Sequence, residues 1–174
     1  MSVECLRCYS GPLTLIMENI MTIVEGNTAP QFSLPDDQNH ILTMDDFKGK
    51  KLILYFYPKD DTPGCTTQAC DVRDNFQQLS KLNVAVVGVS KDSVASHQKF
   101  KAKYDLNFPL LSDEQGQLCE AYGVWKEKKN YGKTYMGIER STFLIDENGV
   151  VKKVWRGVKA SGHIDELLTA LQEI

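Results

Sequence analysis

The sequence has no apolar run approaching the length needed to span a bilayer, and it carries no excess of one charge. Lysine and arginine number 20 against 23 aspartates and glutamates, interleaved along the chain for a net charge of −3. That excludes a basic stripe for nucleic acid or anionic lipid. Cysteine is scarce: the five, Cys5, Cys8, Cys65, Cys70 and Cys119, are too few and too unevenly spaced for a secreted disulfide scaffold. Nothing resembles a secretory signal, so a reducing cytoplasm is the expected location. Histidine is scarcer still, and His40, His97 and His163 show no ligand spacing to one another or to a cysteine, so no metal is expected.

What is present is ordinary for a folded domain. A hydrophobic fraction of 42% and a charged fraction of 25% argue against disorder, and 174 residues can bury a core without disulfides or metal. Two segments are expected: a loosely ordered extension over residues 1–22 and one domain over residues 23–174. The extension, "MSVECLRCYSGPLTLIMENIM", holds a C-x-x-C at Cys5 and Cys8 that leaves metal binding or redox pairing open, although metal would need two further ligands. Met17 and Met21 suggest a natural start further in.

From Ile23 onward strands and helices alternate. "QFSLP" and "HILTM" are short strand candidates around the turn-rich "DDQN", and "KLILYFYP" is a continuous apolar run of the kind found in a central buried strand. "TTQACDVRDNFQQLSKL" carries Ala69, Val72, Phe76, Leu79 and Leu82 at steps of three and four, predicting one amphipathic helix. "VAVVGVS" reads as a second buried strand, "SVASHQKFKAKYDL" as a helix and "QLCEAYG" as a short one. The lysine-rich "WKEKKNYGKTY" reads as a solvated loop. "RSTFLID" and "VVKKVW" flank the turn "DENG" as a hairpin before the final helix "IDELLTALQEI". This order predicts an α/β thioredoxin-like fold, a central mixed β-sheet flanked by helices.

The stretch that carries chemistry is "YPKDDTPGCTTQAC". Thr62 suits an N-cap and Pro63 the first helical position, which makes Cys65 the third helical residue, among the unpaired N–H groups of a helix start. That position favours a thiolate, and the spacing to Ala69 and Val72 turns Cys65 inward. Asp60 and Asp61 oppose a thiolate, so a positive partner from elsewhere in the fold is needed; Arg73, eight residues along the helix, is too far. Cys70 is turned away by about 140° and its Cα lies about 8.7 Å from that of Cys65 in an intact helix. A disulfide needs about 7 Å or less, so the two can pair only if the helix unwinds. Cys119, beside apolar positions, reads as a small core residue.

"PKDDTPGC" is similar to the peroxiredoxin active-site pattern of Pro, three residues, Thr or Ser, two residues, Cys. "CTTQAC" resembles the subgroup known as bacterioferritin comigratory protein or PrxQ, and "APQFSLPD", "FPLLSDEQGQLCEAYGVW" and "GIERSTFLIDENG" extend the likeness from about residue 29 to the C-terminus. The resemblance implies a peroxidatic Cys65, a Thr62 that hydrogen-bonds both its sulfur and the peroxide, a Pro58 that shields the sulfur, and Arg140 as the missing positive partner. It further implies Cys70 as resolving cysteine, hydrogen peroxide and organic hydroperoxides as substrates, a monomer, no cofactor, and thioredoxin or a related dithiol as reductant, with a place in antioxidant defence. Two other classes remain as alternatives: a thiol-disulfide oxidoreductase acting on proteins, against which stands the absence of C-x-x-C at the strand-to-helix junction, and a metal or redox-sensing module built on Cys5 and Cys8.

Overall fold

The computed structural model describes residues 23–174; the expected extension over residues 1–22, with Cys5 and Cys8, lies outside the described residues. Its frame is a five-stranded sheet. The run "KLILYFYP" supplies β3 (Lys51–Phe56), and its alternating side chains go to opposite faces, Leu52, Leu54 and Phe56 into one core and Ile53, Tyr55 and Tyr57 into the other. Because both faces are covered, every position must be apolar, which is why the strand shows no polar alternation. Around it stand β4 (Val84–Ser90), β5 (Leu110–Ser112), β8 (Ser141–Ile145) and β9 (Val151–Arg156) in the order β5-β4-β3-β8-β9. The pairs β3–β4 and β4–β5 are parallel, β3–β8 and β8–β9 antiparallel, so the sheet is mixed as expected.

One face of the sheet is covered by α1 (Pro63–Asp74), α2 (Phe76–Lys81), α3 (Val94–Tyr104) and α5 (His163–Gln172), whose buried members include Val72, Leu79, Phe100 and Leu167. The other is covered by α4 (Gln117–Ala121) and the small hairpin of β1 (Ser33–Pro35) and β2 (Ile41–Thr43). This is the thioredoxin-like α/β arrangement. Among the described residues no helix is long and apolar enough to cross a membrane.

Two expectations need correction. The single helix expected to run through Leu82 divides at Asn75, which closes α1 and opens α2. The Asn75 side-chain amide donates to the Asp71 carbonyl at 2.8 Å, and its backbone N–H is shared between Asp71 and Val72 at 3.2 Å. An asparagine that bonds locally in this way competes with continuation of the helix. The lysine-rich segment is not a loop but a hairpin of β6 (Trp125–Asn130) and β7 (Lys133–Ile138). Its two-residue turn has positive φ at both Tyr131 (49°) and Gly132 (77°), the primed turn whose twist matches antiparallel strands.

Gly88 faces Tyr55 across β3–β4, and a Cβ there would stand 2.9 Å from Leu110 Cδ2 and 3.0 Å from the Tyr55 hydroxyl. Both neighbours are fully buried, so Gly88→Ala is expected to destabilise the protein by about 1–3 kcal/mol. Thermal denaturation checks this, at about 2–4 °C of midpoint per kcal/mol for a chain of this size. Cys119 on α4 is fully buried, and burial, with the adjacent Asp113 carboxylate, pushes its thiol well above the ordinary range. Since the thiolate is the reactive form, Cys119 is expected to resist iodoacetamide in the native protein at pH 8 and to react on unfolding, read by peptide mass mapping.

Candidate active site

The site lies where β3 leaves the sheet. After Tyr57 the chain turns outward through Pro58, half-buried, and the exposed Lys59, then reverses at Asp61, whose φ of 55° is the left-handed conformation an aspartate tolerates in a turn. Thr62 is extended and Pro63 begins α1, as the sequence predicts. The first helical hydrogen bond runs from the Thr66 N–H to the Thr62 carbonyl at 2.8 Å. The Thr62 hydroxyl does not cap the helix and is not bonded to Cys65; it donates to the Lys59 carbonyl at 2.9 Å, tying off the turn.

Cys65 points inward with Gln68, Ala69 and Val72, and its side chain is 2% exposed. Beneath it lies Tyr55, whose buried hydroxyl has no hydrogen-bond partner among the described residues. Burial, and then the nearby Cys65 and Asp60, push the Tyr55 phenol well above its ordinary range, so it stays neutral. Cys70, on the same helix, is half-buried on another side.

Arg140 reaches the site from the chain just before β8. Its Nη2 donates to Cys65 Sγ at 3.3 Å and its Nη1 to Gln68 Oε1 at 2.7 Å. The fork of the guanidinium thus grips the helix at two inward-facing positions three residues apart and sets a positive charge on the sulfur. Gly64 lets it come so near: a Cβ at that position would stand 3.1 Å from Nη2. The two aspartates expected to oppose a thiolate are compensated. Asp60 is buried against His97 (2.7 Å), and Asp61 accepts from Lys103 (2.8 Å) and Tyr104 (2.7 Å), which hold its carboxyl below the usual range.

Of the residues singled out in the sequence, Cys65 and Arg140 are in contact, Thr62 and Pro58 belong to the loop leading into the same helix, and Cys70 shares that helix without facing Cys65. The sequence reading missed Gln68, Gly64 and Lys128. Gln68 was detectable as a polar residue three positions after Cys65 on an apolar face. Lys128 is half-buried on β6, its stem against Gly137 and its ammonium in the electrostatic field of Arg140 and Cys65. Burial first, then Arg140, lower its pKa. Nothing in a lysine-rich run marks that one lysine. Among the described residues no group of three or more His, Cys, Asp or Glu side chains is gathered to hold a metal ion.

Comparison with known proteins adds a family. The AhpC/TSA family matches residues 25–154. Peroxiredoxin Bcp of Bacillus subtilis is 51% identical over 154 residues, 88% of this chain and 98% of that one. Among solved structures, Xylella fastidiosa PrxQ superposes with a TM-score of 0.83 at 40% identity, covering 87% of this chain and 96% of that one. The bacterioferritin comigratory protein of Xanthomonas campestris, described for its alkyl peroxide reduction activity, superposes with a TM-score of 0.78 at 44% identity, covering 82% and 90%. The chain therefore belongs to the AhpC/TSA family, as a thiol peroxidase of its Bcp/PrxQ peroxiredoxin group.

Proposed function

We propose that the chain reduces hydrogen peroxide and organic hydroperoxides with Cys65 as the attacking thiolate and Cys70 as the cysteine that resolves the product. The observation that carries this reading is the contact of the Arg140 guanidinium with a thiol in the first turn of a helix, a cation and a helix start converging on one buried sulfur. In the first step the Cys65 sulfur displaces the distal oxygen's partner: the O–O bond breaks, the S–O bond forms, and the departing alkoxide takes a proton to leave as alcohol or water. Arg140, whose hydrogens point at the sulfur, stabilises the charge that develops on the leaving oxygen. Thr62 serves as acceptor rather than donor, because its hydroxyl hydrogen is given to the Lys59 carbonyl. Pro58 brings no N–H to the loop and shields the sulfur from bulk water.

In the second step the Cys70 thiol attacks the Cys65 sulfenic acid, forming the S–S bond and releasing water. Both cysteines lie within α1, so the disulfide requires the first turns to unwind. A dithiol reductant then restores both thiols by exchange. We assign thioredoxin to that role, with a monomeric enzyme working in the cytoplasm in antioxidant defence.

With thioredoxin, thioredoxin reductase and NADPH, Cys65→Ser is expected to consume no peroxide. Cys70→Ser is expected to turn over poorly and to accumulate a sulfenic or sulfinic adduct visible by intact mass. Full activity in Cys70→Ser would move resolution to another thiol. Arg140→Met is expected to lower the peroxide rate constant by about 100-fold or more, in line with loss of a preorganised donor.

A further inference from the structure

Between Pro58 and Thr62, Asp60 enters a buried polar cluster that the peroxide chemistry does not use. Asp60 is 7% exposed and His97, in the first turn of α3, is 0% exposed. One carboxylate oxygen accepts from the Tyr57 hydroxyl at 2.6 Å. The other accepts from the Ser96 hydroxyl at 2.8 Å and stands 2.7 Å from His97 Nδ1. The Asp60 N–H donates to Asp92 at 2.9 Å.

The other ring nitrogen of His97, Nε2, is 2.9 Å from the Leu111 carbonyl oxygen. A carbonyl only accepts, so Nε2 carries a hydrogen, and the remaining proton lies between Nδ1 and the Asp60 carboxylate. Two hydroxyls donate to the same carboxylate, so its side-chain contacts are all with donors, the arrangement of an imidazolium–carboxylate pair. Burial alone lowers the His97 pKa, but the Asp60 bond and charge, the Leu111 carbonyl and Asp92 outweigh it and leave the value raised. The titratable groups facing the ring are thus Asp60 from the loop, Asp92 from the turn before α3 and Tyr57 from the end of β3.

The last turn of α3 holds the next residue as well, through the Lys103 and Tyr104 bonds to Asp61. One helix therefore grips two consecutive residues of the loop from its two ends, while α1, which follows the loop, makes no comparable bond to α3 beyond Arg73 to the Tyr104 carbonyl. We propose that Asp60 and His97 are positioning residues: their buried ion pair fixes the loop of residues 58–62 to α3, so that Thr62 keeps its place at the start of α1 and only the helix beyond it rearranges when the disulfide forms. This deepens the assignment of Cys65 as the attacking thiol and rests on it.

The test uses the full-length protein with His97→Gln, Asp60→Asn and the double variant, each checked for native circular dichroism. Stopped-flow reduction of hydrogen peroxide is measured beside alkylation of Cys65 by iodoacetamide, which needs the thiolate but not the loop. Each single variant is expected to lose about 10- to 100-fold in the peroxide rate constant, the scale of a misplaced site, with alkylation unchanged. The double variant, which leaves no unpaired buried charge, recovers part of the loss. Single variants that fold and reduce peroxide at the wild-type rate overturn the proposal, as does an equal fall in both reactions. The wild-type protein gives a reading that needs no variant: the ring N–H protons of His97 are expected in the NMR spectra of both the reduced and the disulfide form, and their loss on oxidation overturns the proposal. Peroxidase activity surviving in Cys65→Ser would instead strike the assignment beneath it.

Discussion

The contact between Arg140 and Cys65 is the constraint on which the rest of the structure depends. A thiol at the start of a helix has only partial charges to stabilise it, and those fall off within the first turn. A guanidinium at 3.3 Å adds a full charge, and it comes from a residue 75 positions along the chain. Holding both in place takes the whole sheet: β3 aims the loop and α1, while β8, antiparallel to β3, brings Arg140 to the same end. Gly64 and Gln68 then adapt α1 to the guanidinium, one by leaving room and the other by accepting its second hydrogen bond.

The same helix has two incompatible tasks. On the proposed mechanism it must be wound to place Cys65 against Arg140 for attack on peroxide, and unwound to let Cys70 reach the oxidised sulfur. The structure separates the tasks along the chain. The segment before α1 is tied to α3 through Asp60 and Asp61, and the end of α1 is marked by Asn75, where the helix breaks before α2. Between those two points α1 is held by the packing of Cys65, Ala69 and Val72 on the sheet and by the bonds of Gln68 to Arg140 and Arg73 to the Tyr104 carbonyl. The Tyr55 hydroxyl beneath it, with no hydrogen-bond partner among the described residues, also fits a site held in shape by packing rather than by a closed hydrogen-bond network.

The parts of this account that were legible in the sequence rest on local signals. The continuous apolar run of β3 and the Thr-Pro-Gly-Cys helix start act within a few residues, and both stand where they were expected. The hairpin β6–β7 was not legible because its strands are mostly exposed and their few covered positions follow no alternation, and its turn is opened by a tyrosine rather than by Asn-Gly. The break at Asn75 was hidden by apolar spacing that continues unbroken through it. The compensation of Asp60 was not legible because its partner, His97, is 37 residues away. Charge compensation of that kind is a property of the fold, and no spacing rule reveals it.

The most direct test of the central claim, that α1 is wound for attack and unwound for resolution, is amide hydrogen exchange of the reduced protein and of protein oxidised with one equivalent of peroxide. The account predicts that amides of residues 66–74 are protected in the reduced form and lose that protection on oxidation, while those of β3 and α3 keep theirs. Unchanged protection across α1 in protein whose Cys65 and Cys70 are shown by mass to be joined would contradict it.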